Sequence, residues 1–119
     1  GTKFDKVKEF NQKYEDDGIL WFLESCDLNV FEMRRTLWSL KQAGWFDTCR
    51  GFLIGRPGVQ GQIIAGLDQY EAVLSILSEF DVPIFMDIGH VAPMIPLICG
   101  SYGKVTVVGN DCCIAMSLQ

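Results

Sequence analysis

The chain has 119 residues, of which 49% are hydrophobic and 21% are charged, so it is long and apolar enough to bury the core of one folded domain. Its formal net charge of -5 and its lack of a basic run argue against binding to a nucleic-acid backbone. Its five cysteines, an odd number without a Cys-x-x-Cys pair, argue against a disulfide framework and a structural zinc site, and they fit a reducing cytoplasm.

An apolar run near the start of the chain predicts a buried strand. It extends over Ile19–Leu23 and is followed by Glu24. Ahead of it, residues 2–14 are lysine-rich and place apolar side chains at the spacing of one helical face, which fits either a helix or the end of a linker. The carboxylate of Glu24 must reach solvent or a partner, because burying an isolated charge is costly.

A helix is predicted to follow this strand. Asn29 and Glu32, three residues apart, form the helix-start pattern in which each side chain satisfies a backbone N–H of the first turn. Gly44 is typical of a helix end, because glycine readily adopts the left-handed conformation found there. The inner face of this helix is predicted to carry Leu37, Trp38 and Leu40.

A second strand–helix–strand unit is predicted next. Residues 51–55 read as a buried strand, and the glycine-punctuated residues 56–66 read as a loop. Asp68 and Glu71 give a second helix-start signal, and residues 83–86 begin a third strand. The inner face of this second helix is predicted to carry Val73, Leu74, Leu77 and Phe80.

The last third of the chain has a different pattern. Residues 96–99, 104–108 and 112–116 are short, β-rich pieces separated by glycine-containing turns, which predicts antiparallel strands. The earlier alternation of strands and helices predicts parallel pairing with crossover helices. The predicted fold class is therefore α/β, with a parallel sheet and a second, antiparallel β layer.

Polar residues follow each of the three predicted parallel strands. Glu24 follows the first, Arg56 the second and His90 the third, and the carboxyl ends of parallel strands meet at one edge. His90 is the only histidine and is suited to proton transfer, while Glu24 could hold its imidazole in one tautomer. Arg56 could bind a substrate carboxylate. Asp87 is a second candidate for the orienting carboxylate.

Several other chemistries lack support in the sequence. There is no phosphate-binding loop, no dinucleotide fingerprint and no cluster of metal ligands, so no cofactor is expected, nor is a membrane or nucleic-acid partner. No serine lies in a nucleophile-elbow motif. Two alternatives stay open: a cysteine–histidine hydrolase that uses Cys26 or Cys99, and a non-catalytic α/β binding or regulatory module in which Glu24 and His90 have no chemical role.

The order and spacing of four motifs resemble the C-terminal half of the serine LD-carboxypeptidases. The Arg56-Pro57 pair and residues 90–94 are most similar to the microcin-immunity branch of that family. The motifs are Gly18-Ile-Leu-Trp-Phe-Leu-Glu24, Leu37-x-x-Leu40-x-x-x-Gly44, Gly51-x-x-x-Gly55-Arg56-Pro57 and Gly89-His90-x-x-Pro93-Met94.

This resemblance implies both a fold and an activity. Residues 1–119 would be one domain of swivelling β/β/α architecture, supplying Glu24 and His90 to a Ser–His–Glu triad. The serine would lie in an N-terminal domain that this chain does not contain, so the chain alone is expected to be inactive. The implied parent is a cytoplasmic, homodimeric peptidase that cuts murein tetrapeptides or microcin-like peptidyl-nucleotide amides.

Overall fold

A computed structural model of the chain describes residues 3, 5–89 and 94–118. Strands and helices alternate in the first three-quarters of the chain, and a β-hairpin follows. The helices are α1 (Val7–Lys13), α2 (Val30–Gln42) and α3 (Gln69–Leu77), with a 3-10 turn at Ser78–Phe80, and the strands are β1 (Ile19–Leu23), β2 (Cys49–Gly55), β3 (Ile84–Ile88), β4 (Tyr102–Val108) and β5 (Asp111–Ser117).

The parallel sheet has the strand order β1-β2-β3, with β2 in the centre. Trp21 is paired with Phe52, and Phe52 is paired with Ile84 on its other side. The two crossovers run in the same direction along the sheet, and right-handed connections of this kind place both helices on one face. There α2 and α3 pack against each other. The prediction of a parallel sheet with crossover helices is confirmed.

The hydrophobic core lies between this sheet face and the two helices. Phe46, 1% exposed, is at its centre, with ring centroids 5.0 Å from Phe52, 5.7 Å from Phe80 and 5.8 Å from Trp21. All three ring pairs meet edge to face, an arrangement that aromatic quadrupoles favour. The buried cluster contains Val30, Met33, Leu37, Phe46, Phe52, Ile54, Ala72, Val73, Ile76 and Leu77.

The helix-start signals act as predicted, whereas part of the predicted inner faces is wrong. The Asn29 side chain accepts hydrogen bonds from two backbone N–H groups of α2, and Glu32 accepts one from Asn29 N at 3.0 Å. Trp38 is 51% exposed and Leu74 is 43% exposed. Each directly follows a buried residue, and successive helical residues point about 100° apart, so both lie at the flank of the buried face.

The N-terminal segment forms a helix, which resolves the alternative between helix and linker. Asn11 of α1 donates a hydrogen bond from its side chain to Gly44 O at 2.7 Å and accepts one from Thr48 Oγ1 at 3.0 Å. These two bonds attach α1 to the loop between α2 and β2. In the part of the chain that the structure describes, no helix is long and apolar enough to cross a bilayer.

The antiparallel layer consists of β4 and β5 alone within the described residues. Tyr102 is paired with Ser117 at one end of the hairpin, and Val108 with Asp111 at the other. Gly103 approaches Leu20, whose side chain points away from the helices because its neighbour Trp21 packs against the core. The hairpin therefore lies on the opposite sheet face. The predicted strand at residues 96–99 is wrong, because these residues form no ladder.

Candidate active site

The three parallel strands end side by side at one edge of the sheet. Leu23 at the end of β1 is paired with Ile54, and Gly55 at the end of β2 is paired with Ile88 at the end of β3. The helices that follow β1 and β2 begin at the same edge. This edge is where open parallel sheets bind ligands.

The side chain of Glu24 lies against the next strand of the sheet. A methyl group added at Gly55 would be 3.1 Å from Glu24 Cγ, 3.5 Å from Leu23 O and 3.6 Å from Ile88 O. The Cγ of Glu24 thus lies over the end of β2. It is exposed, so its carboxylate needs no buried counter-charge. The absence of a side chain at Gly55 leaves the space that Glu24 occupies.

Strand β3 contains a β-bulge just before its end. Leu53 is paired with Phe85, and Gly55 with Ile88, so two steps along β2 correspond to three along β3. The register shifts around Asp87, whose φ is +61°. A bulge re-aims the chain that leaves a strand and is common beside active sites. In this protein the first residue after β3 is Gly89, which is buried.

His90, the predicted proton-transfer residue, lies outside the described residues, so its position and role stay predictions. Arg56 is half-buried at the same edge, and its backbone N–H donates to Ile88 O at 3.2 Å. Its predicted role in binding a substrate carboxylate likewise stays a prediction. Within residues 3, 5–89 and 94–118, no three His, Cys, Asp or Glu side chains are grouped as metal ligands.

The carboxylate of Asp87 is directed towards α3 and not towards Glu24. Its Oδ1 accepts a hydrogen bond from Gln69 Nε2 at 3.1 Å, and its Oδ2 accepts one from Tyr70 OH at 2.7 Å. The bond to Asp87 raises the pKa of the Tyr70 phenol, because it stabilises the protonated form. Because its carboxylate is directed towards α3, Asp87 is the weaker candidate for orienting an imidazole.

Sequence reasoning missed Gln69 and Tyr70. A signal was present, because both follow the helix-capping residue Asp68 and a helix that follows a parallel strand begins at the carboxyl edge. What the sequence lacked was the register of β3, which decides whether Asp87 points to the helices or away from them.

The loop that carries Glu24 is fastened to the loop after β2. Gly58 N donates to Cys26 O at 2.9 Å, and Gln62 Oε1 accepts a hydrogen bond from Val30 N at the start of α2. A Cβ at Gly58 would be 2.9 Å from Cys26 O, so only glycine permits this approach. These contacts hold the segment after β1 in a fixed position relative to β2.

Comparisons with known proteins agree with this architecture. The family model described as "LD-carboxypeptidase C-terminal domain" matches residues 2–105. No curated protein sequence matches the chain. A solved structure, the muramoyltetrapeptide carboxypeptidase from Oxalobacter formigenes, matches with a TM-score of 0.69 and 15% identity over 83% of this chain and 35% of that chain. The chain therefore spans about a third of the length of this structural relative, and the likeness shows a shared fold.

Proposed function

Because the family model covers residues 2–105, the chain belongs to the LD-carboxypeptidase C-terminal domain family, and we propose that it supplies Glu24 and His90 to a Ser–His–Glu triad. The observation that carries this proposal is the position of the Glu24 side chain. It lies over Gly55, which is paired with Ile88, and the chain reaches His90 two residues later. A glutamate at this edge of the sheet supports the proposed pairing with an imidazole on the segment that follows Ile88.

The proposed chemistry is acyl transfer by an activated serine. His90 takes the proton of the serine hydroxyl as general base and then gives it to the leaving amine as general acid. Glu24 accepts a hydrogen bond from the other imidazole nitrogen, which selects one tautomer and stabilises the imidazolium that forms. The serine and the oxyanion donors would come from a further domain of a longer protein.

The proposed substrate is a peptide or peptidyl amide. Arg56 would bind a substrate carboxylate through its planar guanidinium, which matches carboxylate geometry. The Arg56-Pro57 pair and residues 90–94 support a microcin-like amide as substrate, whereas the solved relative is a muramoyltetrapeptide carboxypeptidase. The resemblance also supports a cytoplasmic homodimer, and the exposed apolar residues Val107 and Val108 of the hairpin fit a surface that a second protomer covers.

The single histidine makes a direct test possible. In the ¹⁵N-labelled chain, all imidazole signals arise from His90. We expect one dominant tautomer and a pKa above the usual value of about 6.5, because a nearby carboxylate favours the imidazolium. Glu24→Gln should lower this pKa and mix the tautomers, while Glu15→Gln, at an exposed carboxylate ahead of β1, should change neither.

Activity gives a second readout in the same variants. The chain alone should not hydrolyse LD-peptides. In the longer protein that carries the serine, Glu24→Gln should reduce kcat by about 10²- to 10⁴-fold, the usual contribution of general acid–base catalysis. Titration curves of His90 that coincide in the wild type and in Glu24→Gln would contradict the proposed pairing and favour a non-catalytic module.

A further inference from the structure

An unusual backbone conformation occurs three positions before His90. Asp87 is in β3, yet its φ of +61° is in the left-handed region, which L residues other than Asn and Asp rarely adopt. Such a conformation is disfavoured and persists only where the surrounding contacts enforce it. The contacts that hold Asp87 in this conformation should therefore set the direction of the chain after it.

Two residues of α3 contact the Asp87 side chain. Gln69, only 6% exposed, donates from its amide, and Tyr70 donates from its hydroxyl, each to a different oxygen of Asp87. Both belong to the first turn of α3, which Asp68 fixes by accepting a hydrogen bond from Glu71 N at 2.8 Å. The amide of Gln69 must present its N–H groups to Asp87, because its oxygen would repel the carboxylate.

The next residue along β3 is held by the chain that leaves β2. Ile88 O accepts a hydrogen bond from Arg56 N, the first residue after β2. The chain is therefore fixed at Asp87 by α3 and at Ile88 by β2. His90 is two residues further on, and two extended residues span at most about 7 Å. A change in direction at the bulge would carry over to His90 over this short distance.

We propose that Asp87, held by Gln69 and Tyr70, is a positioning residue that aims the chain carrying His90 at Glu24. This inference rests on the proposed function of Glu24 and His90. It assigns the Gln69–Tyr70–Asp87 cluster a role in the reaction without contact with the substrate. The same contacts could instead serve only to join β3 to α3, and a measurement at His90 separates the two roles.

The test uses the ¹⁵N-labelled chain and its single histidine. Tyr70→Phe removes one of the two bonds to Asp87 and keeps the net charge, so any change in the His90 pKa is geometric. Tyr70 is 43% exposed, so the variant should fold normally. We expect the His90 pKa to fall towards its usual value and the minor tautomer to become visible. Tyr14→Phe, which removes the same hydroxyl from a ring packed on Phe10 at the end of α1, should leave His90 unchanged.

A second variant keeps the test informative if the first effect is small. Asp87→Asn preserves a residue type that tolerates positive φ but replaces one accepting oxygen with an NH₂ group. Because this change also removes a negative charge, which by itself lowers the pKa of a nearby imidazole, its readout is the tautomer ratio of His90, and the minor tautomer should become more visible than in Tyr70→Phe. A His90 tautomer ratio that is the same in the wild type and in both variants overturns the positioning role.

The outcome for Glu24→Gln distinguishes the two proposals. If Glu24→Gln shifts His90 while Tyr70→Phe and Asp87→Asn do not, only the positioning role fails. If Glu24→Gln leaves His90 unchanged, the proposed triad fails and the positioning role fails with it. Shifts in all three variants, with Tyr14→Phe unchanged, support both.

Discussion

Replacing Gly55 with alanine should disturb the proposed site while leaving the fold intact. The added Cβ would be 3.1 Å from Glu24 Cγ. Carbon atoms in ordinary contact are about 3.5 to 4.0 Å apart, so the Glu24 side chain must shift by about 0.4 to 0.9 Å. The two backbone oxygens near the new methyl group, at 3.5 and 3.6 Å, need not move.

The effects on stability and on site geometry differ in size. Replacing glycine by alanine in a compatible backbone conformation stabilises the folded state by about 0.4 to 1 kcal/mol. This gain offsets the strain of moving the exposed Glu24 side chain. We therefore expect the free energy of unfolding to change by less than about 1 kcal/mol. A carboxylate–imidazole hydrogen bond tolerates only about 2.6 to 3.2 Å, so the same shift should weaken it and lower the His90 pKa.

Gly51→Ala is the matched control for this experiment. Gly51 is on the same strand and the same sheet face, and its added Cβ would also be 3.1 Å from a β1 side chain, that of Leu20. It would further be 3.3 Å from Pro83 O, a backbone atom that already accepts a hydrogen bond from Phe52 N. This variant should lose stability while His90 titrates as in the wild type.

Urea denaturation and the pH titration of the His90 imidazole measure the two effects separately. We expect opposite patterns: Gly55→Ala changes the titration of His90 and not the stability, and Gly51→Ala changes the stability and not the titration. A normal His90 titration in Gly55→Ala would refute the inference that Glu24 reaches across Gly55 to the imidazole.

Two further predictions concern the rest of the molecule. Phe46→Ala removes the ring at the centre of the aromatic cluster and should lower the free energy of unfolding, measured by urea denaturation, by about 3 to 5 kcal/mol. A loss below about 1 kcal/mol would mean that the cluster does not hold the helices on the sheet. Burial raises the pKa of the Cys49 thiol, so alkylation of the native chain should modify Cys49 last and only at more alkaline pH. Equal alkylation rates at all five thiols would contradict the burial of Cys49.

Much of the architecture could be predicted because it depends on local signals. Asn29 and Asp68 cap the two long helices through their own side chains, and both were readable from spacing alone. The neighbouring positions of Glu24 and Gly55 follow from parallel topology, since the ends of such strands share an edge. The antiparallel hairpin was readable from its turns.

The parts that could not be predicted depend on packing and register. The inner face of a helix is set by which neighbours meet it, so adjacent apolar residues such as Leu37 and Trp38 are not distinguished by composition. Residues 96–99 have strand-like composition, but among the residues that the structure describes no strand pairs with them. No sequence pattern predicts the bulge at Asp87. The hydrogen-bond partners of the Asp87 side chain, Gln69 and Tyr70, lie 18 and 17 residues away in the chain.

The most direct test of the account is the distance between the His90 imidazole and the Glu24 carboxylate in a crystal structure of the chain. The account predicts a nitrogen of the ring within about 2.6 to 3.2 Å of a carboxylate oxygen, or one water apart in the absence of the serine. An imidazole on the helix side of the sheet, with Glu24 still over Gly55, would contradict it.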